Sequence, residues 1–186
     1  MKSQMMMMII LIDFSKIKNK SIDGIRDDCF LFYSIFQWHT RKGWKELISA
    51  YFEEFDGNDN VCLIIKTNPI NSDVLKKIPE DIALIKNQYS YKSTPKLFLI
   101  TDTISESDLL SIHKSAHCYV SPHHGEGWGM PIHDALLSGK QIIATKFGGV
   151  LEFIDDANFH PIPFTMESVS EMGWNAVYSS KQKWAQ

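Results

Sequence analysis

The chain has 186 residues, of which 44% are hydrophobic and 22% charged; that is room for one well-buried domain and excludes wholesale disorder. A formal net charge of -3 leaves no surplus of lysine and arginine, which argues against a broad nucleic-acid surface, so any phosphate has to be held locally. Cys29, Cys62 and Cys118 are far apart and set in apolar surroundings, so they read as buried free thiols of a reducing compartment, with no disulfide or metal framework.

The apolar run Met5 to Ile12 is too short to span a bilayer, and no small-residue cleavage pattern follows it. Residues 1–27 therefore read as an N-terminal segment, either a strand or a linker, and a cytoplasmic protein is expected, free or peripheral to the inner face of a membrane. From Cys29 onward, apolar runs of strand length alternate with amphipathic stretches of helix length, which is the pattern of an α/β domain with a parallel sheet and helical crossovers. The expected strands are Phe30–Phe36, Val61–Lys66, Lys96–Ile100, Cys118–Ser121 and Gln141–Ala144. Expected helices run over Trp44–Phe55, over Ser72–Gln88, from the cap-like Ser105 to about Ala116, and from Pro131 to a stop at Gly139. Residues 28–172 form the domain, and the tail 173–186 is expected to return as a helix around Trp174 and Trp184.

The most informative stretch is Ser121-Pro122-His123-His124-Gly125-Glu126-Gly127-Trp128-Gly129-Met130-Pro131, between an expected strand and an expected helix. In an open parallel sheet, ligands bind beyond the carboxyl ends of the strands, where a glycine loop lets backbone N–H groups approach and a helix N-terminus favours negative charge. Gly125, Gly127 and Gly129 match neither the dinucleotide fingerprint nor a P-loop, so spacing alone leaves a ligand loop and a plain tight turn equally open. Glu126 lies in the loop and Asp134 eight residues later, in the expected first helical turn, so both carboxylates can face one cleft. Taken as an isolated pair, they read rather as simple partners of the helix dipole.

The run Glu126-Gly127-Trp128-Gly129-Met130-Pro131, with Asp134-Ala135, Gly139-Lys140, Ile142 to Thr145 and Gly148-Gly149, resembles the signature of glycosyltransferase family 4. Ser34 to Trp44 is similar to the first strand and helix of the same domain, and together the two segments extend the resemblance over residues 28–165. The resemblance implies the Rossmann-like C-terminal half of a two-domain GT-B enzyme, with helices on both faces of its sheet. It implies a hexosyltransferase-like enzyme that takes a nucleotide diphosphate sugar as donor, retains the anomeric configuration and needs no metal or other cofactor. It places Glu126 beside the transferred sugar as the catalytic carboxylate, Asp134 at the ribose hydroxyls and Lys42 at the diphosphate. Gln37, Arg41, Gly125, Gly127, Trp128, Gly129 and Met130 complete the implied donor site.

Asp134 stands where the family has a second glutamate, and Gln37 where it has arginine or lysine, so one charge at the diphosphate is missing. The acceptor-binding half is also absent from the sequence. The implied partners are therefore the donor and either an N-terminal domain or a separate acceptor-binding subunit, with self-association through an uncovered apolar face. The rival reading is a non-catalytic or degenerate nucleotide-sugar-binding module that works with a separate partner. A dinucleotide-dependent oxidoreductase ranks last, because residues 36–43 and 66–73 lack its glycine fingerprint and acidic residue.

Of the remaining groups, His113 and His117 have zinc-compatible spacing without a third ligand. His123 and His124 precede the glycine loop and read as ligand contacts or structural residues. Trp38 and Trp44 default to packing, and Glu152 to a surface carboxylate.

Overall fold

The computed structural model of the chain describes residues 10–11, 28–154, 157–169 and 182–186. In chain order the first half comprises β1 (Ile10–Leu11), β2 (Phe30–Ile35), α1 (Trp44–Glu54), β3 (Val61–Lys66), α2 (Ser72–Gln88) and β4 (Lys96–Ile100). The second half comprises α3 (Glu106–Ser115), β5 (Cys118–Ser121), α4 (Met130–Leu137), β6 (Gln141–Thr145), β7 (Phe159–Ile162), β8 (Met166–Ser168) and β9 (Lys183–Ala185).

Seven strands form one sheet in the order β1-β4-β3-β2-β5-β6-β7, and each pairing in it is parallel. Period-two alternation along the central strands feeds two cores. Leu63, Ile65, Leu97 and Leu99 pack beneath α1 and α2 with Leu47, Ile48, Phe52, Ile78, Ile82 and Ile85. Cys62, Ile64, Phe98 and Ile100 point the other way, toward Ile112 of α3 and Ile132 and Ala135 of α4. Each such large side chain, fully buried, contributes about 1.5–3 kcal/mol against leaving it in water. The α/β, Rossmann-like sheet with helices on both faces is the fold expected from the sequence.

From β2 the chain builds outward through β3 to β4, then returns to the other side of β2 with β5 and builds outward again through β6 and β7. The loops that follow β2 and β5 therefore diverge, opening a crevice beyond their carboxyl ends, which is where doubly wound sheets bind ligands. On the face of α1, a separate hollow of about 360 Å³ is lined by apolar side chains including Phe32, Leu47, Tyr51, Val120, Ile143 and Ile162.

The tail departs from expectation. Trp184, expected on a helix, is the buried centre of β9 and pairs antiparallel with Glu167 of β8. Trp174 and the rest of 173–181 lie outside the described residues, as does the Met5 to Ile12 run apart from Ile10–Leu11, which pairs with β4. Asp134 also moves: α4 begins at Met130, so Asp134 falls in its second turn rather than its first. Among the described residues no helix is long and apolar enough to cross a membrane.

Candidate functional site

Beyond β2 the chain makes a short 3-10 turn, Thr40–Lys42, before α1 begins. His39 fixes its start: its Nδ1 accepts a hydrogen bond from the Arg41 amide at 3.1 Å. Gly43 ends it in the left-handed region at φ 67°, and its N–H donates to the Thr40 carbonyl at 2.9 Å. A Cβ on Gly43 would sit 1.9 Å from the Pro122 carbonyl oxygen, so the β2 loop lies directly against the β5 loop there. Trp38 turns away from the crevice, stacked on Trp44 at 4.7 Å and donating from Nε1 to Asp81 at 2.9 Å, which makes both tryptophans packing residues.

The β5 loop meets this turn through backbone and side chains. The His124 amide donates to the Arg41 carbonyl at 2.8 Å, and the Arg41 guanidinium donates to the Gly125 carbonyl. Lys42 Nζ donates to Glu126 Oε1, and Arg41 Nη1 lies 3.6 Å from Glu126 Oε2. Lys42 and Glu126 are largely shielded, with side chains 16% and 12% exposed, so water screens this pair less than a surface ion pair. Beneath the loop, Gly148-Gly149 forms a floor: a Cβ on Gly149 would lie 1.7 Å from the Gly127 carbonyl oxygen. The other side of the loop is open. A Cβ on Gly127 meets nothing within 4 Å, and one on Gly125 meets only the Arg41 Cδ at 4.0 Å. Gly129 then starts α4 at φ 76° and offers no side-chain cap; its carbonyl accepts from the Ile132 and His133 amides at 2.8 and 3.0 Å.

A cleft of about 360 Å³ opens between these loops and the end of β3, lined by Gln37, Arg41, Lys42, Lys66, Asn68 and Pro131, with Ile35 and Leu109 among its apolar walls. The expected residues Gln37, Arg41 and Lys42 thus share one cleft wall, and Glu126 is tied to them. Asp134 stands apart from that cluster. Its ionic contact is His133 Nδ1 at 4.0 Å, and it makes no hydrogen bond or ion pair with Lys42 or Glu126. Trp128 and Met130 are exposed beside the loop at 45% and 58%, with the Trp128 ring 5.2 Å from that of Phe153.

The histidines are structural. His123 is fully buried; burial pushes its pKa down, with hydrogen bonds and Glu126 opposing. A neutral ring donating from Nε2 to the Phe147 carbonyl and accepting at Nδ1 from the Ser121 hydroxyl satisfies both nitrogens. His124 joins Glu46 of α1, at 3.5 Å, to the Ala185 carbonyl of β9, at 2.6 Å. The Glu46 contact raises its pKa most, and desolvation opposes it. His113 bonds the Tyr33 hydroxyl at 2.7 Å, and His117 Nδ1 accepts from the Leu31 amide at 2.9 Å, so neither shares a ligand with the other. Glu152 is exposed at the end of the 3-10 turn Gly149–Glu152. Lys66 is the residue that sequence reasoning passed over: a lysine closing an apolar strand, 4% exposed, whose pKa burial pushes down while Asp102 opposes.

A parallel sheet with a cationic turn, a glycine loop and a helix start without a side-chain cap meeting at its switch point defines a Rossmann-like domain. The family described as glycosyl transferases group 1 matches residues 15–171, and the chain belongs to it. A comparison with the curated proteins found no match. Among solved structures, the C-terminal domain of a glycosyl transferase group 1 family protein from Francisella tularensis is similar at TM-score 0.60 and 19% identity, over 83% of this chain and 77% of that one. The trehalose-6-phosphate protein from E. coli bound with UDP-2-fluoro glucose is similar at TM-score 0.59 and 11% identity, over 82% of this chain. An Anabaena protein in complex with UDP and glucose is similar at TM-score 0.58 and 16% identity, over 80% of this chain. These likenesses define a GT-B-type fold. The chain spans 39% of the E. coli protein and 38% of the Anabaena protein.

Proposed function

We propose that the chain is the donor-binding, C-terminal-type domain of a retaining family 4 glycosyltransferase and that it binds a nucleotide diphosphate sugar at the switch-point crevice. The observation that carries this reading is the contact of Lys42 and Arg41 on the β2 loop with Glu126 on the β5 loop, distant in sequence, beside a cleft of about 360 Å³ that both cations line. Lys42, Arg41 and the start of α4 receive the diphosphate, Glu126 lies beside the sugar and Asp134 reaches the ribose from α4. In transfer, the bond from the anomeric carbon to the diphosphate oxygen breaks and its electron pair leaves with the diphosphate. A bond to an acceptor hydroxyl forms on the same face, and the proton of that hydroxyl passes to the departing diphosphate oxygen. Cations fixed beside the departing oxygen stabilise the charge that develops there. No step calls on a metal or another cofactor.

The acceptor side comes from a second folded unit, either an N-terminal domain of a longer chain or a separate subunit. Consistent with that, the matched Francisella tularensis structure is a C-terminal domain. The apolar hollow beside α1 is the surface through which self-association would occur, and a strictly monomeric sedimentation profile would remove that part of the reading. A cytoplasmic location, free or peripheral to a membrane, belongs to the same proposal. A non-catalytic binding module is the second reading, favoured by the neutral Gln37 in the cation wall.

A thermal-shift panel of UDP, GDP, ADP and their sugar conjugates tests the donor site, with Lys42→Ala and Asp134→Ala alongside. Ligand at about a hundred times its dissociation constant stabilises by roughly 2.7 kcal/mol. A shift with one nucleotide that both variants lose supports the assignment; no shift with any of them sinks it.

A further inference from the structure

Three cations line the cleft, Arg41, Lys42 and Lys66, and they are not equally satisfied. Glu126 holds the first two. Lys66 Nζ donates to the Thr67 carbonyl at 3.2 Å and to Asn68 Oδ1, both neutral acceptors, and no carboxylate among the described residues forms an ion pair with it. Yet Lys66 is 4% exposed. An ammonium removed from water needs a counter-charge as well as hydrogen bonds; the neutral amide and carbonyl supply only the latter, and the Asp102 charge acts on it without forming an ion pair. The neighbouring Thr67 is also buried, and its hydroxyl lacks a hydrogen-bond partner. The end of β3 thus holds a buried cation with no ion-pair partner among the described residues, next to a buried hydroxyl with no hydrogen-bond partner. Gln37, in the same cleft wall, adds no charge.

We infer that Lys66 is the second cation of the diphosphate site, supplying from the end of β3 the charge that the neutral Gln37 does not bring to the β2 loop. The inference rests on the donor reading for the identity of the ligand, but its anion chemistry stands on the cleft itself. Two carboxylates, Glu126 on Arg41 and Lys42 and Asp102 acting on Lys66, stand against three cations, so the cleft stays net positive and a multivalent anion fits where a neutral sugar alone would not. Lys42 has to share itself with Glu126 in an ion pair, whereas Lys66, held by two neutral acceptors, has its charge available to the incoming phosphate oxygens.

The test is titration calorimetry of the full chain with inorganic pyrophosphate and, separately, with UDP, GDP and ADP, comparing wild type with Lys66→Gln and Lys66→Met. Folding of each variant is checked by circular dichroism and thermal melting; the methionine variant roughly keeps the buried volume while removing the charge and its two hydrogen bonds, and the glutamine variant removes the charge but keeps an N–H donor. Pyrophosphate affinity is expected to fall at least tenfold in both, as loss of one charge-assisted contact implies, while neutral uridine shows no change. Nucleotide binding with unchanged pyrophosphate affinity in a folded variant would overturn the role of Lys66 and leave the donor reading standing. Pyrophosphate binding that depends on Lys66, without binding of any nucleotide, would uphold the anion site and overturn the donor reading. Failure of the wild-type chain to bind pyrophosphate at all would reject the inference.

Discussion

Two glycines face each other across the β5 loop, and replacing each by alanine should have opposite consequences. A Cβ on Gly149 would lie 1.7 Å from the Gly127 carbonyl oxygen, where real contacts essentially never fall below 3.0 Å, so the floor and the loop would have to part by more than 1 Å. The obstructing atoms are backbone and cannot swing aside. Overpacking of this kind costs about 1–3 kcal/mol, and the rigid geometry places Gly149→Ala at the upper end of that range. At about 2–4 °C per kcal/mol for a chain of this length, its melting temperature should fall by roughly 6–12 °C. Gly127→Ala adds the same methyl group to open space, so its stability should stay within about 0.5 kcal/mol of wild type. That methyl fills the face through which a ligand would reach the loop, so nucleotide affinity should drop at least tenfold in a protein that melts normally. Paired melting curves and titrations read both effects. A Gly149→Ala protein as stable as wild type, or a Gly127→Ala protein that melts early, would refute this account of the loop.

His124 and Glu46 give a pH signature. The raised pKa of His124 adds stability that is complete below its ordinary value of 6.5 and lost as pH rises through the folded value. The lowered pKa of Glu46 adds stability that is complete above 4.5 and lost as pH falls through the folded value. Wild type should therefore exceed Glu46→Gln most between about pH 4.5 and 6.5, by less than about 1 kcal/mol because Glu46 is 47% exposed, as melting across that range would show. Cys29, Cys62 and Cys118 are all buried with raised pKa values, that of Cys118 to about 11, so an aromatic disulfide reagent should titrate none of them before denaturant is added. Trp128→Ala should leave the melting temperature within about 2 °C, since the ring is 45% exposed, whereas Trp38→Ala should cost about 3–5 kcal/mol because that ring is buried and hydrogen-bonded.

Strands such as Val61–Lys66 and Cys118–Ser121 were legible because each is a compact apolar run flanked by turn residues, and that local signal coincides with the buried centre of the sheet. The outer pieces were not. Phe159–Ile162 contains His160 and Pro161 and becomes a strand by pairing with β6, while Lys183–Ala185 becomes one by pairing with β8, partners that no local window contains. The glycine loop and the cation turn were readable as motifs, and the structure brings Arg41, Lys42 and Glu126 into contact. Lys66 was invisible as a cleft residue because its burial is a property of the assembled sheet, and a lysine after five apolar residues looks like an ordinary strand end. Asp134 was displaced by a single backbone fact: the uncapped Gly129 lets α4 begin at Met130, one residue before the proline expected to open it.

Phe32↔Cys118 and Tyr33↔Tyr119 are the two residue pairs that join β2 to β5, fewer than the six that join β2 to β3 or the four that join β5 to β6. The thinnest ladder in the middle of the sheet is therefore also the line across which Lys42 and Glu126 meet. A ligand that touches both loops would act as a staple over that seam, coupling occupancy to the cohesion of the two halves. Loading should then slow the exchange of amide hydrogens along β5, which borders the seam, more than that of β4, which β3 and β2 separate from it.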